Sequence, residues 1–195
     1  KQIVAIVGII LLMAAPSFAQ TALQTFRLAH GGSLAHPYQF GAKKFAELTH
    51  KQTGGKVRIK IYPEGQLGSE GAAGEAVRLG NADIAVISAG GAMSHWTALL
   101  QVLDMPYLFR DREHAYRVLD GEIGAALNKE MGKAGFVNLA YWEIGVRHIT
   151  NNAHPLLTPK DAQGLAVRVM PSNVYISLLK AWGAKPIAVA FDDLY

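Results

Sequence analysis

The chain has 195 residues, half of them apolar and 17% charged, with 19 Lys and Arg against 15 Asp and Glu. That balance excludes a disordered tail, a collagen and a coiled coil, and with no Lys/Arg-rich block a net charge of +4 offers no footprint for nucleic acid. Cys is absent, which excludes disulfides, thiolate nucleophiles, iron–sulfur clusters and Cys-ligated zinc.

Lys1 is followed by an uncharged apolar stretch, Ile3–Ala15, and then by Pro16-Ser17-Phe18-Ala19. This stretch is shorter than the ~20 residues that span a bilayer, and it has the length of a signal-peptide core. Ser17 and Ala19 put small residues at the two positions a signal peptidase reads. Export is therefore expected, with residues 1–19 as a signal peptide cleaved after Ala19 and a periplasmic destination. The remaining residues carry 18 basic and 15 acidic side chains. Their length suits one ordinary domain, or one and part of a second.

Strands and helices then alternate. Phe26–Ala29 reads as a strand ending in a Gly-rich loop. Tyr38, Gly41, Ala42, Phe45 and Leu48 mark one face of a helix that Gly54-Gly55 stops. Val57–Tyr62 alternates as a strand does, and Pro63-Glu64-Gly65 turns the chain away. Ser69 caps a helix running to Leu79, and Asp83–Ile87 is a third strand, apolar after its first residue. Asp111 caps a helix through Leu119, Glu122–Lys133 is another, and Phe136–Tyr141 is a further strand. Val146–Thr150 and Leu165–Val169 read as short strands. Ser172 starts a helix to Trp182, Pro186–Val189 is a last strand, and Phe191–Tyr195 opens a helix that stops abruptly, as in a fragment. The β-α-β-α-β order implies parallel strands, whose ligands sit beyond the carboxyl ends. The loops His30–His36, Pro63–Gly68 and Ser88–Gly91 should share that rim.

Motifs for catalysis are missing: there is no Walker loop, His-Glu-x-x-His, Gly-x-Ser-x-Gly or EF-hand loop. Gly68–Gly74 has glycines near a phosphate-loop spacing, but Glu70 would repel phosphate, so a helix start with packing glycines fits better. His30 and His36 match no metal-ligand spacing, and neither metal nor cofactor is expected. His148 has no orienting acid beside it. Arg147 and Arg168 are more informative. Each lies on a short apolar stretch, where a guanidinium needs a counter-anion. Its planar fork matches a carboxylate bidentately. An outward-pointing arginine, or one paired with Glu143 or Asp161, accounts for the pattern equally well.

Three stretches resemble the substrate-binding subunit of TRAP transporters, the tripartite ATP-independent periplasmic transporters of the DctP-like family. They are Tyr62-Pro63-Glu64-Gly65-Gln66-Leu67-Gly68; Leu103-Asp104-Met105-Pro106-Tyr107-Leu108-Phe109-Arg110-Asp111; and the series from Tyr141-Trp142-Glu143 through Arg147, Thr158-Pro159-Lys160-Asp161 and Arg168 to Phe191–Tyr195. The resemblance implies an α/β, periplasmic-binding-protein-like fold of two lobes that close over a ligand. Lobe I would span residues 20–143 and be mostly present, and residues 144–195 would begin an incomplete lobe II. It further implies a solute receptor, not an enzyme, that captures a small organic acid and delivers it to membrane permease subunits. Arg168 would be the carboxylate clamp, Arg147 its support and Phe191 a wall packed on the ligand. Glu70 takes a rim position that contacts polar substrate groups in some members, and Asn173 lies in the variable segment after Arg168. Two other readings are an exported sensory receptor for an organic acid, and an exported enzyme on an acidic substrate with His148 as base.

Overall fold

The computed structural model describes residues 22–194, so the expected signal peptide, residues 1–19, lies outside them. Strands β1 (Gln24–His30), β2 (Val57–Tyr62) and β3 (Ile84–Val86) form a parallel sheet in the order β2-β1-β3. Leu28 on the central strand stands beside Ile61 on one side and Ile84 on the other. Helices α1 (Pro37–Gln52) and α2 (Glu70–Arg78) connect these strands. The crossovers keep all three strand ends on one side, as the alternating pattern predicts. A 3-10 turn, Ala98–Asp104, leads to α3 (Arg112–Leu119) and α4 (Glu122–Lys133). Strands β4 (Ala166–Val169) and β5 (Lys185–Ala188) form a second parallel pair, bridged by α5 (Asn173–Ala181).

The helix starts follow local chemistry. Ser69 accepts a hydrogen bond from the Ala72 amide at 3.3 Å, and Asp111 accepts one from the His114 amide at 2.6 Å. Each satisfies an N–H that has no partner inside its helix. Within α2, a Cβ on Gly74 would stand 2.6 Å from the Trp96 ring. Gly74 therefore serves close packing against Trp96, as a packing glycine would.

Three apolar clusters hold the molecule. Leu28, Ala42 and Ile59 join the first sheet to α1, with Phe26, Phe45 and Ile84 around them. Met93, Leu100, Leu127 and Met131 form the second, under α4. Ala162, Leu179 and Ala184 form the third, between α5 and the β4–β5 pair.

Two expected strands do not form. Phe136–Tyr141 and Val146–Thr150 run as irregular chain, and the last segment is a 3-10 turn, Phe191–Asp193, in place of a longer helix. Apolar patterning places side chains, whereas a strand needs a neighbour for its amides and carbonyls. No described strand lies alongside either segment. Their side chains still follow the pattern: Phe136 and Tyr141 pack on the second cluster, and Ile149 on the third.

Leu28 is 1% exposed at the centre of the first sheet, while Leu79, just past α2, is 63% exposed. Leu28→Ala should lower unfolding free energy by about 2–5 kcal/mol through the lost contacts and the cavity left behind. Leu79→Ala should change it by about 0.5 kcal/mol or less. Urea melts of a protein carrying this sequence compare the two.

Candidate functional site

Parallel strands put their carboxyl ends on a common rim, and the loops there are tied together. The Glu64 amide donates to the Gly32 carbonyl at 3.0 Å, and the Gly65 amide to the His30 carbonyl at 3.2 Å. Glu70 Oε2 accepts from the Ser88 amide at 3.0 Å and from Ser88 Oγ at 2.5 Å. The three loops expected to share a rim do so. Glu70 is engaged there as the tie between the start of α2 and the loop after β3.

The second rim lies at the ends of β4 and β5. Arg168 donates Nε–H and Nη2–H to the Val189 carbonyl, at 2.9 and 2.7 Å. Two donors of one planar group on a single acceptor fix the plane and direction of the guanidinium. Arg147 belongs to irregular chain and not to a strand, which corrects the expected placement. Its Nη2 stands 3.7 Å from Met170 Sδ, and its guanidinium lies 5.3 Å from the centre of the Tyr175 ring. Met170 directly follows the last residue of β4, so Arg147 stands just beyond the carboxyl end of the strand that carries Arg168. Neither acid considered as a partner reaches Arg147. Glu143 binds Arg112 at 2.8 Å and the Tyr116 hydroxyl at 2.7 Å, and Asp161 accepts from the Leu157 and Thr158 amides.

The two rims touch. Phe191 meets the His36 ring edge-on, with centres 5.8 Å apart. The Tyr175 hydroxyl donates to Asp104 Oδ1 at 2.9 Å. Asn173 is exposed at the start of α5, and no hydrogen bond among the described residues reaches its side chain. The structure therefore gathers Arg147, Arg168 and Phe191 at the ends of one strand pair, holds Glu70 across from them on the opposite rim, and leaves Asn173 outside these contacts.

Burial governs the titration of the groups between the rims. It pushes the Tyr38 phenol up to about 12; the Glu70 charge adds to the rise and the Arg147 charge opposes it. Burial also pushes Tyr175 up to about 12, again opposed by Arg147, with Asp104 adding. Arg147 thus acts on a tyrosine from each side. Burial and the neighbouring His30 hold His36 below its ordinary value, against the pull of Glu70. His36 Nδ1 accepts from the Tyr38 amide at 3.2 Å, which assigns the proton of the neutral ring to Nε2. Two guanidinium groups, neutral phenols and an aromatic wall suit the binding of a small anion. His148 is exposed and shares no hydrogen bond with a described acid, so no nucleophile–base pair is assembled there. Among the described residues no group of three His, Asp or Glu could hold a metal ion.

Sequence reasoning passes over Tyr175, Asp104 and the ring of His36. Tyr175 reads as one more apolar position of a short helix, although an aromatic residue with a hydroxyl one turn after the Ser172 start is the signal that was available.

The two perturbed phenols have a measurable consequence. Their folded values lie above the ordinary 10, so the unfolded chain releases protons first as pH rises. Stability is then full below pH 10 and falls between pH 10 and about 12. Spectrophotometric titration at alkaline pH should show Tyr38 and Tyr175 ionising last, after Tyr116 and Tyr141, whose phenols are raised less, and Tyr175→Phe should remove one of the last two. Ionisation of all seven tyrosines together near pH 10 would contradict the burial assigned here.

Residues 28–195 match the family model DctP, bacterial extracellular solute-binding protein, family 7. The chain is 35% identical over 183 residues to the 2,3-diketo-L-gulonate-binding periplasmic protein of Escherichia coli K12, covering 94% of this chain and 56% of the relative. A TRAP periplasmic solute-binding protein from Sulfurospirillum deleyianum, solved with bound succinate, superposes with a TM-score of 0.82 at 38% identity, covering 89% of this chain and 56% of that one. One from a Sulfitobacter species with bound β-D-galacturonate gives a TM-score of 0.82 at 32% identity, covering 88% and 57%. The chain spans about half the length of these relatives. Its α/β fold is that of the TRAP periplasmic solute-binding proteins, and the chain belongs to the bacterial extracellular solute-binding protein family 7.

Proposed function

We propose that this chain is the ligand-contacting part of a periplasmic solute receptor that captures a small organic acid and hands it to membrane permease subunits of a TRAP transporter. The observation that carries the reading is the direction of Arg168, whose guanidinium is held by the Val189 carbonyl at the end of the β4–β5 pair, with Arg147 against Met170 just past the end of β4. Arg168 is the clamp, presenting its fork to one carboxylate of the ligand. Arg147 is the second donor and Phe191 the wall. Glu70 acts from the opposite rim, where it also orders the Ser88 loop. Asn173 contributes at the margin, from the start of α5.

The relatives support this choice of ligand. Succinate, β-D-galacturonate and 2,3-diketo-L-gulonate differ in size and hydroxylation, and every one of them carries a carboxylate. A charged fork reads the common group and leaves the rest of the ligand to other contacts. Residues 20–143 serve as the first lobe, and residues 144–195 as the opening of the second. The ligand sits between them and is released unchanged, as a binding protein of this family would release it. The periplasmic location rests on the relatives and on the signal-like character of residues 1–19.

Calorimetry with succinate, β-D-galacturonate and D-erythronate tests the assignment on a protein carrying this sequence. Truncating one partner of a desolvated charge pair costs about 2–5 kcal/mol, so Arg168→Ala should weaken binding by about thirtyfold or more. Arg168→Lys should recover little, because an ammonium lacks the planar fork. Unchanged affinity in Arg168→Ala would overturn the reading.

A further inference from the structure

Asp104 and Tyr175 are 71 positions apart in sequence and hydrogen-bonded in the fold. Asp104 ends the 3-10 turn that packs through Leu100 and Leu103 on the cluster under α4. Its carboxylate lies against Gly90, where a Cβ would overlap it, so the backbone there accepts only glycine while the carboxylate stays. Asp104 Oδ1 takes the Tyr175 hydroxyl, and Oδ2 is buried with no partner. A carboxylate so confined has few other positions, and it fixes the hydroxyl end of the tyrosine. The phenol stays protonated well above neutral pH and remains a donor. The other end of the ring belongs to α5, beside the buried Leu179. Held at both ends, the ring offers one face, and the Arg147 guanidinium lies 5.3 Å from its centre.

We infer that Tyr175 is a positioning residue: braced by Asp104, it holds the Arg147 guanidinium in place for an anionic ligand. The inference rests on the carboxylate reading above and adds a mechanism to it. Arg147 sits on irregular chain with no ladder to fix its backbone, so its aim depends on what its side chain meets. It meets Met170 Sδ and the Tyr175 ring. Because Asp104 comes from the first half of the chain and Tyr175 from the second, the ring is braced only while the two rims are in contact. Arg147 is therefore in register for the ligand in the arrangement in which the two rims meet, and rim contact and anion capture support each other.

The test is a mutant cycle read by calorimetry with succinate, β-D-galacturonate and D-erythronate, beside thermal melts of each variant. Loss of a cation–π contact to an exposed guanidinium predicts that Tyr175→Leu weakens binding by about fivefold. In an Arg147→Ala background the same change should cost less than about twofold, since the group it positions is gone. Tyr175→Phe keeps the ring and loses the brace, so its loss should be intermediate. Asp104→Asn, whose amide oxygen still accepts, should lose less than Asp104→Ala. A purely structural role would lower melting temperatures while leaving the losses additive with Arg147→Ala, and that additivity would overturn the inference. Where a variant is too unstable for calorimetry, the Arg147 Nε–H resonance decides. It should keep its ring-induced shift in Tyr175→Phe, and its persistence in Tyr175→Leu would overturn the inference. The carboxylate reading fails separately, when Arg168→Ala leaves affinity unchanged.

Discussion

Parallel pairing of β4 with β5 sets the direction of one guanidinium, and the account of the site depends on it. With Val169 beside Ala188 the two strands end together, and the next carbonyl, that of Val189, falls within reach of Arg168. An arginine side chain has several rotatable bonds, and ordering it opposes binding unless it is ordered beforehand. Here the backbone of the neighbouring strand does that ordering. Just past the end of β4, Met170 gives Arg147 a place to rest.

The opposite wall is built on the same principle from different residues. Hydrogen bonds between loop backbones, and from the Ser88 loop to Glu70, turn three strand ends into one surface. Burial keeps Tyr38 neutral and His36 below its ordinary value, so this wall offers polar groups without adding positive charge. Positive charge is concentrated on one side, in the two arginines. An anion held between such walls meets its counter-charges from one direction, and neutral polar groups together with the Glu70 carboxylate from the other, which is a means of orienting it.

Much of the fold was legible because its signals are local. Ser69 and Asp111 start the helices they were expected to start, and Glu122–Lys133 is helical from end to end. The first two depend on a side chain reaching an amide three residues away. Phe136–Tyr141 and Val146–Thr150 failed as strands because strand formation is decided by a neighbour that a short apolar run does not reveal. The placement of Arg147 failed with them. The contact of Tyr175 with Asp104 was beyond reach for a related reason: no spacing rule joins a helix start to a turn 71 positions earlier. Resemblance to a family supplied the arginine roles, and the geometry added the carbonyl, the thioether and the ring that hold them.

The most direct measurement is a crystal structure of a protein carrying this sequence with an organic acid bound. The account predicts one ligand carboxylate facing the Arg168 guanidinium, with Arg147 as its second donor and the Phe191 ring against the carbon chain. A ligand whose carboxylate is met elsewhere, with Arg168 turned away from it, would contradict the account.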